Sequence, residues 1–144
     1  MQNFSDSILI NCHSDKAFKA LTINISEWWG QQDVLIKDRG DRFRVSWGDP
    51  WYLFEVTHLK PGSSISWKCI DANQIIPGLA GVQKEWVGSE IQWSIESISE
   101  QQCRVHVVHE GLNEALICYD FCSSTWERFI HQELKAYLES GLES

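Results

Sequence analysis

Between residues 33 and 110 the chain alternates apolar and polar residues with a period of two, and no other feature narrows its possible folds as far. The pattern runs through 42–47 with Phe43, Val45 and Trp47, 52–59 with Phe54 and Val56, and 64–70 with Ile65, Trp67 and Cys69. It continues through 91–98 with Ile91, Trp93 and Ile95, and 103–109 with Cys103, Val105, Val107 and His109. Successive side chains of a strand point to opposite faces, so each segment has one apolar face. Turn chemistry lies between them, in the strings DRGD, WGDP, KPGS and SEQQ. The expectation is an antiparallel meander with one face apolar and rich in Trp. A sheet of this length coils, and its inner face must be covered.

The cover is predicted in the C-terminal stretch LICYDFCSSTWERFIHQELKAYLESG. Tyr119, Cys122, Trp126, Phe129, Ile130, Leu134, Tyr137 and Leu138 recur at three- and four-residue intervals. They form one stripe about six turns long at about 3.6 residues per turn, which Gly141 would end. Ahead of the meander, Ser7 to Cys12 reads as a strand. Ser14 or Asp15 can cap a short helix over KAFKALTI, with Phe18 and Leu21 on its inner face. A second short turn is expected over Ser26-Glu27-Trp28-Trp29, ended by Gly30. The class is therefore α+β. A chain of 144 residues suits one domain over 1–144, without repeats or linkers.

Between the strands near Ile70 and Glu90 lies DANQIIPGLAGVQKEWVG, an apolar loop too long for a tight meander. Loops of this kind are often lids or binding loops, and the alternative is packing against the barrel end. Twenty acidic against twelve basic residues give a net charge of −8, with no Lys/Arg cluster. Nucleic acid and anionic membrane surfaces both need local positive charge, so neither is an expected partner. No run approaches the eighteen apolar residues of a membrane span, and the first residues lack the pattern of a signal peptide. Five cysteines without a C-x-x-C pair read as reduced thiols in a cytoplasmic protein. Cys118 and Cys122 share a helix face, but two further ligands for a metal are missing nearby.

Several strings resemble one family: ALTINISEWWG (20–30), ISWKC (65–69), EWVGSEIQWSI (85–95), VVHEGL (107–112) and C-x3-W-x7-L-x2-YLESG (122–141). They resemble the domain at the C-terminal end of activators of heat-shock protein 90 ATPase, within the START-like, helix-grip (SRPBCC) superfamily. The resemblance implies a curved antiparallel sheet of about six or seven strands gripping the long C-terminal helix, with two short helices after the first strand. It also implies a cavity between sheet and helix. Members of the superfamily bind lipids, sterols, plant hormones or polyketides, act as cyclases or aromatases, or regulate a chaperone ATPase. The chain has no room for the additional N-terminal domain of the full-length activators.

The eight Trp residues fill a core or wall a cavity. The candidate cavity lining is Trp29, Phe43, Trp47, Phe54, Trp67, Trp93, His109, Tyr119, Cys122, Trp126, Phe129 and Ile130. Of the adjacent pair Trp28 and Trp29, one is expected inside and the other at an edge or pocket mouth. His13, His58, His106 and His131 read as surface or element-end residues, and the acidic residues at 27, 55, 85, 90 and 96 as solvated surface. His109 is inward by parity and needs a hydrogen-bond partner, since leaving a buried polar group unpaired costs about 1–3 kcal/mol. A backbone carbonyl, Tyr119, Tyr137 or water could serve. A structural role ranks first, orientation of a bound ligand second and acid-base catalysis third, because no GxSxG turn, carboxylate pair or metal cluster accompanies it. The expected function is binding of a small, largely apolar molecule in the cavity, without cofactor or metal, the 71–84 loop gating entry. The alternatives are a chaperone-regulating interaction module and a polyketide cyclase or aromatase-like enzyme.

Overall fold

The computed structural model describes residues 2–140. The elements in chain order are β1 (Phe4–Ile10), α1 (Ser14–Ala20), a 3₁₀ turn (Ile25–Glu27), β2 (Gln31–Gln32), β3 (Arg42–Ser46), β4 (Trp51–Lys60), β5 (Ser64–Asn73), β6 (Glu90–Ser99) and β7 (Gln102–Glu110). A continuous helical run follows, composed of α2 (Tyr119–Arg128), a π-helical segment (Phe129–Leu134) and α3 (Lys135–Ser140). The strands form one antiparallel sheet in the order β1-β7-β6-β5-β4-β3-β2. Seven strands curl into a half-barrel around the 22-residue C-terminal helix, an α+β helix-grip fold.

Parity placed the inward faces correctly. Phe43, Phe54, Ile65, Trp67, Cys69, Ile91, Trp93, Cys103, Val105, Val107 and His109 are all buried, and their polar neighbours Arg44, Lys68, Ser94 and His106 are exposed. β1 pairs with β7 from Phe4↔His109 to Ile10↔Cys103, so the first strand starts and ends earlier than 7–12. The reason is Phe4, which is buried and whose N–H donates to Leu112 O at 2.8 Å.

The N-terminal helix is shorter than KAFKALTI. His13 rather than Ser14 or Asp15 caps it, Nδ1 accepting from Asp15 N at 3.0 Å. Its buried face centres on Ala17 and Ala20, continued by Leu21, with Phe18 only partly covered. Gly30 does not stop a helix through a left-handed conformation, since its φ is not positive. It is a close-approach site: a Cβ there would lie 2.5 Å from Trp47 Cε2 and 2.8 Å from Val45 Cγ1. Both Trp28 and Trp29 are buried, their rings stacked at 6.0 Å, and Trp28 Nε1 donates to Ala20 O at 2.7 Å. Neither stands at an exposed edge.

The helix crosses the sheet from the 74–89 loop to the β1–α1 turn. At its start Glu85 accepts from Ile117 N at 2.8 Å and Cys118 N at 2.9 Å, so this carboxylate caps α2 and is not merely solvated surface. At its end Lys16 Nζ donates to Leu138 O at 2.9 Å and Asn11 N to Glu139 Oε2 at 2.9 Å. The expected stop at Gly141 lies outside the described residues. The buried stripe is Cys122, Trp126, Ile130, Leu134 and Leu138, each step four residues. On a regular α-helix each such step overshoots a full turn by about 40°, so four steps would carry Leu138 about 160° away from Cys122. The π turn takes up one residue and cuts that drift to about 60°. The phase of the stripe thus explains where the helix widens.

Candidate functional site

His109 is wholly buried at the inward end of β7. Trp126 Nε1 donates to its Nδ1 at 3.1 Å, which fixes Nδ1 as the unprotonated nitrogen. Ser89 Oγ spends its one proton on Trp86 O at 2.6 Å, so it accepts from His109 Nε2–H at 2.8 Å. The imidazole is thereby held as the neutral Nε2–H tautomer, and burial pushes its pKa down to about 3. The Trp86 ring meets it edge-on at 4.5 Å. The partners are Ser89 and Trp126, not Tyr119, Tyr137 or a backbone carbonyl.

Two of the recognisable strings meet here. Gly111, at φ 99°, faces Ser89, and a Cβ on Gly111 would lie 2.9 Å from Ser89 Cβ. The glycine of VVHEGL therefore leaves room for the serine of EWVGSE. Ser89 itself is held by β5, where Cys69 N donates to Ser89 O at 2.8 Å and Gly88 N to Cys69 O at 2.8 Å.

Rings in mutual contact occupy the space between sheet and helix. Trp67, Trp93 and Trp126 are fully buried, with Trp93 edge-on to Trp28 at 5.8 Å and to Trp126 at 5.8 Å. What stays open is a cleft of about 210 Å³ at the end of this layer, between β4, the 74–86 segment and α2. Its aromatic wall is Trp29, Trp47, Tyr52, Trp86 and Trp126, and its rim carries Phe121 and Phe129. Four of those rings lie nearly parallel: Trp29 to Trp126 at 19°, Trp126 to Trp86 at 12°, Trp86 to Tyr52 at 18° and Tyr52 to Trp29 at 4°. Trp47 closes the set at a right angle, edge-on to Trp29 at 5.1 Å, with its Nε1 donating to Trp29 O at 2.7 Å.

The polar members of the wall are few. Gln74 is buried; its Oε1 accepts from the Tyr52 hydroxyl and from Cys122 Sγ at 3.4 Å, and its Nε2 donates to Val82 O at 3.0 Å. Burial pushes the Tyr52 hydroxyl pKa well above its ordinary value, so it stays protonated. Thr125 and Arg128 come from α2, and Arg128 is the one charged residue on the wall among the described residues.

Of the twelve residues expected to line a cavity, the cleft brings together Trp29, Trp47, Cys122, Trp126 and Phe129. Phe43, Phe54, Trp67, Trp93, His109 and Ile130 are packed behind it as core, and Tyr119 lies half-buried at the start of α2. The residues that sequence reasoning passed over are Pro50, Tyr52, Gln74, Trp86, Phe121, Thr125 and Arg128. Tyr52 shares the inward face of β4 with Phe54, two residues on, so parity by itself assigns it to the interior; the register shift between Leu53 and Phe54 leaves Ile70 of the partner strand unpaired. The 74–89 loop splits its apolar residues: Ile76, Val82 and Trp86 are buried, Ile75 and Leu79 exposed.

All five cysteines are free and buried. Cys12 Sγ and Cys103 Sγ lie 3.9 Å apart, and burial pushes the Cys69 thiol up to about 12. The other histidines tie surface elements, with His131 Nε2 2.8 Å from Asp6 and His58 Nε2 2.7 Å from Ser64 Oγ. Among the described residues no three His, Cys, Asp or Glu side chains group as metal ligands, and no helix is long and apolar enough to cross a membrane.

No family profile matches the chain, and no curated protein matches it significantly. Solved structures do. The solution structure of the Aha1 dimer from Colwellia psychrerythraea superposes with a TM-score of 0.76 at 24% identity, covering 99% of both chains. DynU16, a putative protein in the dynemicin biosynthetic locus, gives 0.71 at 18% identity over 98% of this chain and 48% of its own. A protein from Bacillus halodurans gives 0.73 at 12% identity over 96% of this chain and 98% of its own. Likenesses at these identities establish the helix-grip fold and nothing narrower.

Proposed function

We propose that the protein is a cytoplasmic binding protein for a small, largely apolar molecule, which enters the cleft beside α2. The observation that carries this reading is the cleft itself, an opening of about 210 Å³ walled by five aromatic residues. A concave opening with mostly aromatic walls and few polar groups is the usual form of a small-molecule site. Its volume exceeds the roughly 150 Å³ that holds benzene in an engineered protein cavity. It falls short of the roughly 300–1,000 Å³ of sites for drug-sized ligands, so the reading favours one or two rings over a sterol or a long acyl chain.

The test is native mass spectrometry of freshly purified protein, followed by titration of the emptied protein with 2-naphthylmethanol, read by tryptophan fluorescence. Saturable quenching that Trp47→Ala abolishes is the expected result. No retained mass and no saturable quenching would remove the proposal.

A second reading follows from the Aha1 likeness, which extends over the full length of both chains. On it the protein regulates a chaperone through its surface, as a member of the ATPase-activator group. A complex with heat-shock protein 90 and a changed ATPase rate would support it, whereas neither on mixing removes it. For the cyclase-like reading, His109 is an unpromising acid or base, because both ring nitrogens are engaged and its pKa of about 3 leaves it neutral at ordinary pH.

A further inference from the structure

We propose that the ligand of this cleft is an organic acid, a planar one- or two-ring carboxylate whose anionic group is held by Thr125 and Arg128 while its ring lies against the indoles. The inference rests on the cleft being a binding site and adds the charge of what it takes.

The argument is the balance of donors and acceptors. Arg128 brings a guanidinium that only donates, and among the described residues no carboxylate lies on the wall. Among the described residues Arg128 forms no ion pair. Its guanidinium sits over the Phe129 ring at 5.1 Å, which keeps it at the rim of the cleft. Thr125 lies three residues earlier on the same face of α2, and its hydroxyl has no partner among the described residues. On the acceptor side, Gln74 Oε1 already receives two hydrogen bonds. The Thr125 hydroxyl can turn its proton outward beside the Arg128 guanidinium, so the rim offers a fixed cation and an adjustable donor, which fit an anion better than a neutral polar head.

The chain as a whole carries −8, which repels anions at long range. A wall with one cation and no acid is therefore a local exception to the surface around it. In size, an opening of about 210 Å³ suits a naphthalene-sized body.

The test compares 2-naphthoate with its neutral analogue 2-naphthylmethanol by isothermal titration calorimetry on the full chain, in wild type, Arg128→Gln and Thr125→Val. Arg128 is exposed, so unchanged melting of Arg128→Gln is expected and is checked alongside. The expected result is naphthoate binding about tenfold more tightly than the alcohol, the size of one good charge-assisted contact. Arg128→Gln should erase that preference, and Thr125→Val should reduce it. Added salt should narrow it. Equal affinities in wild type, or a preference that survives Arg128→Gln, overturn the acid assignment and leave the cleft reading standing. Binding of neither compound overturns both.

Discussion

At the scale of single residues, the protein shows how a polar group is kept in an aromatic core. His109 takes one hydrogen bond and gives one, and its neutral tautomer follows from the fixed directions of its neighbours. Its folded pKa of about 3 lies below the ordinary 6.5, so the unfolded chain binds a proton that the folded chain refuses. The contribution is complete above about pH 6.5 and declines as pH falls from there towards about 3, by up to about 1.4 kcal/mol per pH unit. Melting temperature against pH should therefore fall across that window, and His109→Asn should flatten the slope even though it lowers the melting temperature at neutral pH. Ser89→Ala strands the Nε2–H and should cost about 1–3 kcal/mol in denaturant unfolding. That His109 points inward was legible from parity alone. Its partners were not, because Ser89 comes from a loop whose path no periodicity describes and Trp126 from a helix whose phase depends on a π turn.

At the scale of elements, strands were legible to within a few residues because turn residues and alternation agree with each other over 42–109. The helix held a subtler signal. Five buried residues at strict four-residue spacing cannot stay on one face of an α-helix, and the π segment Phe129–Leu134 is where the chain corrects the phase. Deleting Gln132, an exposed residue of that segment, should convert it to regular α-helix and leave Leu134 and Leu138 facing the sheet. Deleting Ser124 in the regular part should instead turn Cys122 and Tyr119 by about 100° relative to Trp126. Thermal unfolding should find the first deletion tolerated to within about 1 kcal/mol and the second destabilising by about 2 kcal/mol or more. A ranking in the opposite order would show that the widened turn serves something other than phase. The cleft was the least legible element-scale feature, since its walls come from β4, the 74–86 segment and α2, which only the tertiary fold brings together.

At the scale of the whole molecule, five buried free thiols imply slow chemistry. An aromatic disulfide reagent should label few of them in the native protein within minutes and all five once the chain is unfolded, so labelling rate reports opening of the fold. The sheet order also sets a timetable. β2 to β7 pair with their neighbours along the chain, but β1 pairs only with β7, about a hundred residues later. Contacts of such separation form late, because the intervening loop must close first. During synthesis the N-terminal strand therefore waits unpartnered until β7 has left the ribosome, and until β1 docks β7 offers a bare strand edge. The polar residues that β1 alternates with its apolar ones, Ser5 and Ser7 between Phe4 and Ile8, keep the waiting strand less adhesive than its buried face alone would make it. The last pairing to form is thus the one that adds the sheet's final edge strand.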